Sequence, residues 1–205
     1  MHRSAQPSAG IANSFEVAEG IFYELTGHEP VTDEKFIAHM RQLPLLKAAK
    51  EMHVSATQIP RLLIRGRALM QQRMGKVHVF AGIVPVLRKL HENGNRLFII
   101  SSNSQPNVEK FLFEHELDSY FDGVYGGVGL FSKALVLRRV MRRNKLKLDE
   151  SFYIGDEVRD VHAAKHAGVR IVSVAWGYND IEALKAEKPF TTALQPSDLL
   201  QIFKV

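Results

Sequence analysis

From Asn13 to about Val77 the apolar residues recur every three or four positions, the spacing of helices packed on one side. Phe15, Ala18, Ile21, Phe22 and Leu25 form a first stripe, with Ser14 placed to cap it and Gly27 to stop it. Thr32 opens a second helix, with Glu34 in its first turn and Phe36, Ile37 and Met40 as its apolar side. Two more helices are expected over Leu45–Met52 and Ile59–Met74. Four helices with no strand pattern between them predict a small helical bundle.

After Val77 the pattern changes to short apolar runs alternating with amphipathic stretches. A helix over Ile83–Asn93 should end at Gly94, a residue suited to the left-handed turn that closes helices. Arg96–Ile100 reads as a buried strand, followed by a helix near Asn107–His115 and a short strand at Gly123–Tyr125. A helix over Lys133–Asn144, a strand at Ser151–Ile154, a helix over Val158–Ala167 stopped by Gly168 and a strand at Arg170–Ala175 complete the series. This last is the final clear strand. Strands alternating with helices of this length predict an α/β fold: a doubly wound, Rossmann-like parallel sheet with helices on both faces. Residues 13–77 then form a helical segment ahead of an α/β core over residues 78–205.

In doubly wound sheets ligands bind beyond the carboxyl ends of the strands, which directs attention to the residues after each strand. After Ile100 come Ser101, Ser102, Asn103 and Ser104. They either cap the next helix or, with the helix amides, cradle an anion. Ser132-Lys133 opens another helix, where a cation opposes the helix dipole. Lys133 is therefore either solvated or set beside a negative group. After Ile154 comes Gly155-Asp156-Glu157-Val158-Arg159-Asp160. Asp156 and Asp160, four apart, either cap and decorate the helix or converge on a hard cation such as Mg²⁺, which favours oxygen ligands and phosphate.

Composition narrows the classes further. The 205 residues are 45% hydrophobic and 24% charged, ordinary for a globular chain, and contain no cysteine. That excludes disulfides, thiolate metal sites and a thiol nucleophile. No apolar run approaches the roughly 18 residues of a membrane span, and Met1–Gly10 lacks the apolar segment of a signal peptide, so a cytoplasmic protein without membrane contact is expected. Net charge is +5, with the densest basic stretch at Arg138, Arg139, Arg142, Arg143, Lys145 and Lys147. It lacks interleaved aromatic residues, and a solvated helix face explains it better than nucleic acid does. Nothing in the sequence indicates an oligomeric state.

A hydroxyl cradle, a lysine and an acidic pair at three successive strand ends make a phosphate-plus-metal constellation. In this the sequence resembles the haloacid dehalogenase (HAD) superfamily of phosphohydrolases, and within it the phosphoglycolate-phosphatase-like proteins. Ser101 sits where that family's second motif has Ser or Thr, Lys133 matches its third-motif lysine, and Gly155–Asp160 matches its GDxxxD motif. The similarity runs on through Ala163–Asn179. The resemblance implies a Mg²⁺-dependent phosphatase acting on small phosphorylated metabolites. Asp156 and Asp160 would hold the metal, Ser101, Ser102, Asn103 and Lys133 would bind substrate, and Lys133 and Ser101 would serve catalysis. The helical segment would be an inserted α-helical cap that closes over the site and selects the substrate; its Arg41, Arg61 and Arg65 either grip a carboxylate or face solvent.

One motif does not match. The family's reaction uses DxDGT at the end of its first strand, the first Asp as nucleophile and the second as general acid and base. Ile11-Ala-Asn-Ser-Phe15 resembles the residues on the carboxyl side of that motif, which puts Gln6 at the nucleophile position and Ser8 at the acid/base position. Gln6 carries no charge, and Ser8 has no proton-transfer pKa near neutrality. His2–Gly10 is polar, holds Pro7 in mid-run and has no β-branched residue, so residues 1–12 read as an atypical terminus in place of a central strand. The expectation is an impaired phosphatase; the alternative is a catalytically silent HAD-fold protein that binds phosphate or another anion.

Overall fold

The computed structural model describes Tyr23, His39, Leu43 and residues 45–55, 57–73, 79–129 and 132–205. The atypical terminus, including Gln6 and Ser8, and most of the first two expected helices lie outside the described residues. Within the expected cap, α1 (Leu45–Glu51) and α2 (Ile59–Arg73) occupy the predicted stretches, and Tyr23 and His39 are helical. Val54 and Ile59 are buried, and Ala49, Met52 and Leu62 pack against them as a small apolar cluster of their own. His39 Nε2 lies 2.7 Å from the Glu51 carboxylate.

The core follows as α3 (Ile83–Glu92), β1 (Phe98–Ile100), α4 (Gln105–Glu114), β2 (Gly123–Tyr125), α5 (Lys133–Arg143), β3 (Phe152–Gly155), α6 (Val158–Ala167) and β4 (Arg170–Val174), then α7 (Ile181–Ala186), β5 (Thr191–Ala193) and α8 (Asp198–Ile202). All pairings among the described strands are parallel, as predicted. They form two sheets, β1-β2 and β3-β4-β5. In the first, Phe98 lies opposite Gly123 and Ile100 opposite Tyr125; in the second, Gly155 lies opposite Ser173 and Val174 opposite Ala193.

Strand β4 shows why the sheet is covered on both sides. Successive side chains point to opposite faces. Val172 and Val174 join Val86 and Leu90 of α3, Ala193 and Leu199 in one buried cluster. Ile171 turns the other way, toward Val158, Val161 and Ala164 of α6 and Leu184 of α7. A third cluster joins the two sheets. Leu137 and Met141 of α5 meet Ala163 and Ala167 of α6, and both Ile100 at the end of β1 and Tyr153 of β3 pack against them. Helices α5 and α6 thus give Ile100 at the end of β1 and Tyr153 within β3 a common support.

Two expectations need correction. The chain continues beyond β4 with α7, β5 and α8, so Arg170–Ala175 is not the final strand. Three residues of Thr-Thr-Ala are too few to show an alternation, yet Ala193 is fully buried and Phe152 packs against Phe203 at 5.1 Å between ring centres. Helix α4 begins at Gln105, before the expected start near Asn107. Pro106 sits in its first turn, where the missing N–H would have had no helical partner. The helix ends were otherwise legible: Gly94 and Gly168 adopt the left-handed conformation, at φ +75° and +76°. No helix among the described residues is long and apolar enough to cross a membrane.

Candidate active site

Lys133 is the first residue of α5, where its charge opposes the helix dipole. It is nonetheless only 8% exposed, because Nζ donates to Asp160 Oδ1. A buried ammonium needs such a partner, so the alternative of a solvated lysine is excluded. The turn before it is fixed by the Ser132 hydroxyl, which donates to the Gly129 carbonyl at 3.0 Å.

The opposite charge comes from the β3–α6 turn. Asp160 lies in the first turn of α6 and is 2% exposed, so it is neither a surface residue nor an ornament of the helix. Its Oδ1 also accepts the Tyr153 hydroxyl at 3.2 Å. Gly155 makes this placement possible: a Cβ there would lie 2.6 Å from Asp160 Cβ. Burial, with Asp160 adding its charge, pushes the Tyr153 phenol far above its ordinary pKa, which keeps it a hydrogen-bond donor.

Asp156 does not cap α6; the residue at that cap is Glu157, whose side chain makes no capping bond. Instead the Asp156 carboxylate accepts the backbone N–H of Tyr178 at 2.7 Å. The Asn179 N–H donates to the Asp156 carbonyl at 3.0 Å, while Asn179 Oδ1 accepts the Val158 N–H at 3.0 Å. The loop after β4 therefore clamps the loop after β3. Gly177 is required at the crossing, since a Cβ there would fall on the Asp156 side chain. Burial raises the Asp156 carboxyl above the usual carboxylate range, against the lowering effect of the Tyr178 N–H and Lys133.

Glu157 brings a third carboxylate. One ligand oxygen each from Asp156, Glu157 and Asp160 lies within 4.8 Å of the others. Arg159 reaches back to Glu157, Nη2 donating to Oε1 at 2.5 Å and Nε lying in ion-pair contact with Oε2 without a hydrogen bond of its own. Burial raises the Glu157 carboxyl as well, and Arg159 opposes that rise. A compact set of three hard carboxylate oxygens, two of them raised by burial, matches the donor preference of Mg²⁺.

The loop after β1 is built differently. Ser101 Oγ accepts the Asn103 N–H at 3.1 Å, and Asn103 Oδ1 accepts the Ser104 N–H at 2.9 Å and the Asn107 Nδ2 at 3.0 Å. The Gly127 N–H donates to the Asn103 carbonyl at 2.6 Å. Here the Asn103 and Ser104 amides are engaged by neighbouring side chains, and Ser104, at the cap of α4, makes no side-chain capping bond. Ser101, Ser102, Asn103 and Ser104 are all partly exposed.

The structure thus brings Lys133, Asp156 and Asp160 together and places Ser101 directly after Ile100, on the support shared with Tyr153. Arg61 and Arg65 are exposed on α2, and Arg41 lies outside the described residues. Tyr153, Glu157, Arg159 and the Gly177–Asn179 loop were not singled out in the sequence. The loop comes after a strand, so the rule that directs attention to strand ends would have found it had it been applied to β4.

Comparison with known proteins agrees with this geometry. The haloacid dehalogenase-like hydrolase family matches residues 10–174. A phosphoglycolate phosphatase from Synechococcus elongatus is 35% identical over 175 residues, spanning 85% of this chain and 82% of that protein. A phosphoglycolate phosphatase from Vibrio parahaemolyticus is 28% identical over 131 residues, 62% of this chain and 58% of its own length. A haloacid dehalogenase-like hydrolase from Streptococcus pneumoniae superposes with a TM-score of 0.76 at 22% identity, covering 94% of this chain and 91% of that one. The chain belongs to the haloacid dehalogenase-like hydrolase family, in the company of the phosphoglycolate phosphatases.

Proposed function

We propose that this fold serves as a Mg²⁺-dependent phosphatase of small phosphorylated metabolites, with phosphoglycolate the first substrate to try. The observation that carries the reading is the buried Lys133–Asp160 pair set against Asp156 and Glu157 at the carboxyl end of β3. Asp156, supported by Asp160, would hold the metal, whose chemistry is to neutralise phosphoryl oxygens as charge develops on them. Lys133 supplies a fixed positive charge beside that position, in a setting shielded from water where such a charge acts strongly. Ser101 offers a hydroxyl donor, since its oxygen already accepts from Asn103 and its proton is left to turn toward an anion. The helical segment would select the substrate and exclude water, in a cytoplasmic setting.

As the chain stands, turnover should be weak, because Gln6 and Ser8 occupy the nucleophile and acid/base positions. The test is hydrolysis of phosphoglycolate and of a generic phosphomonoester with Mg²⁺, comparing this chain with a Gln6→Asp, Ser8→Asp variant. The expected result is a gain of at least about 100-fold in the variant, in keeping with what a positioned proton-transfer group contributes. Strong, EDTA-sensitive turnover in the unaltered chain would overturn the impairment. A variant that still turns nothing over, while both forms bind inorganic phosphate, would favour the silent anion-binding protein.

A further inference from the structure

Beside the proposed metal ligands the chain carries a charge pair that the phosphatase reading does not use. Glu157 and Arg159 lie two apart around the start of α6, mostly buried, with side-chain exposures of 21% and 26%. The guanidinium donates to the carboxylate through Nη2 and sets Nε, which makes no hydrogen bond, against its second oxygen, so the two are held as a close ion pair. The Glu157 carboxylate is also one of the three whose oxygens converge within 4.8 Å, so the pair stands inside the cluster and not at its rim. Asp160 has its cation in Lys133, and Glu157 has its cation in Arg159. Among the described residues Asp156 has no side-chain cation of its own: its bond is to the Tyr178 N–H. Three carboxylates against two cations leave one negative charge uncompensated, which limits how strongly the site attracts a doubly charged ion.

We propose that the Glu157–Arg159 pair is a positioning and tuning element that sets the divalent-cation affinity of the Asp156 site by holding the local charge at one net negative. This rests on the reading of Asp156 as the centre of a cation site. The pair contributes in two opposed ways. Glu157 adds a nearby negative charge that favours the cation, and Arg159 cancels it. Removing either member should therefore move the affinity in opposite directions, which a purely structural role would not do. A packing role predicts that both losses weaken binding.

The test is calorimetric titration of Mg²⁺ into the full chain, with Mn²⁺ spin resonance as an independent readout, for the parent and four variants. Glu157→Gln should weaken Mg²⁺ binding about tenfold, and Arg159→Gln should tighten it about tenfold. The double variant should return to within about threefold of the parent, as should Arg159→Lys, which keeps the charge and loses the guanidinium. If Arg159→Gln fails to give the parent's far-ultraviolet dichroism, Arg159→Met takes its place, and tightening on loss of this cation remains the deciding result. Weakening in both single variants, or no change in either, would overturn the proposal and leave the cation site intact. A parent that binds neither Mg²⁺ nor Mn²⁺ would instead overturn the reading of Asp156 on which it depends.

Discussion

The loops after β1 and β3 carry the two sets of candidate site residues and are stabilised in different ways. After β3, the two aspartates are held from a distance: Asp160 by Lys133, 27 positions away, and Asp156 by the Tyr178 amide, 22 positions away. After β1, the Ser101 Oγ and Asn103 Oδ1 bonds to the Asn103 and Ser104 amides and to Asn107 Nδ2 stay within four positions, and the Gly127 N–H adds one backbone tie to the Asn103 carbonyl. The first arrangement exists only when α5, β3, α6 and the loop after β4 have assembled. The second sets its side chains by local turn bonds, with backbone ties to the segment after β2. Charge is thus placed by tertiary structure, and the hydroxyl by local structure.

Breaking the long-range half should be costly. Lys133→Met leaves Asp160 buried without its cation, and the expected loss in a urea unfolding titration is about 3–5 kcal/mol. An unchanged midpoint would mean that Asp160 is not held by this pair. Gly177→Ala puts a methyl where Asp156 lies, so stability should fall by about 1–3 kcal/mol and Mg²⁺ binding should weaken with it. Retained affinity would show that the loop after β4 does not fix Asp156.

Titration sharpens the same contrast. Asp156 and Glu157 have raised carboxyl pKa values in the folded chain. Without metal, they favour folding at low pH, and that contribution is lost as pH rises through their raised values. A cation that binds the ionised forms offsets the loss. The increase in melting temperature on adding Mg²⁺ should be larger near about pH 8 than near about pH 5. An increase independent of pH would place the cation elsewhere. In the local half, Ser101→Ala should cost under about 1 kcal/mol of stability and leave Mg²⁺ affinity unchanged, while weakening the binding of inorganic phosphate. A Mg²⁺ affinity that moved with Ser101 would join the two halves more tightly than their hydrogen bonds do.

The same division explains what the sequence made legible. Apolar spacing located α5, β3, α6 and β4 to within a residue or two, because long amphipathic and buried runs leave a strong pattern. Lys133 could be marked as out of place at a helix start, and Asp160 is the negative group that its position called for. What stayed hidden depends on approach in space. Nothing in Trp176-Gly177-Tyr178-Asn179 announces that an amide there will hold Asp156, since the partner lies across a strand and a helix. Arg159 reads as one more polar residue in the first turn of a helix until the fold brings it back onto Glu157. Strand β5, with three residues, is defined by its pairing with β4 and not by its own composition.

The central claim is that Asp156 anchors a divalent cation at the carboxyl end of β3. Calorimetric titration of Mg²⁺ into the chain and into Asp156→Asn tests it most directly, since the amide keeps the shape and removes the charge. The account predicts saturable one-to-one binding in the parent and a loss of at least about 100-fold in the variant. Equal Mg²⁺ affinity in the two proteins would contradict it.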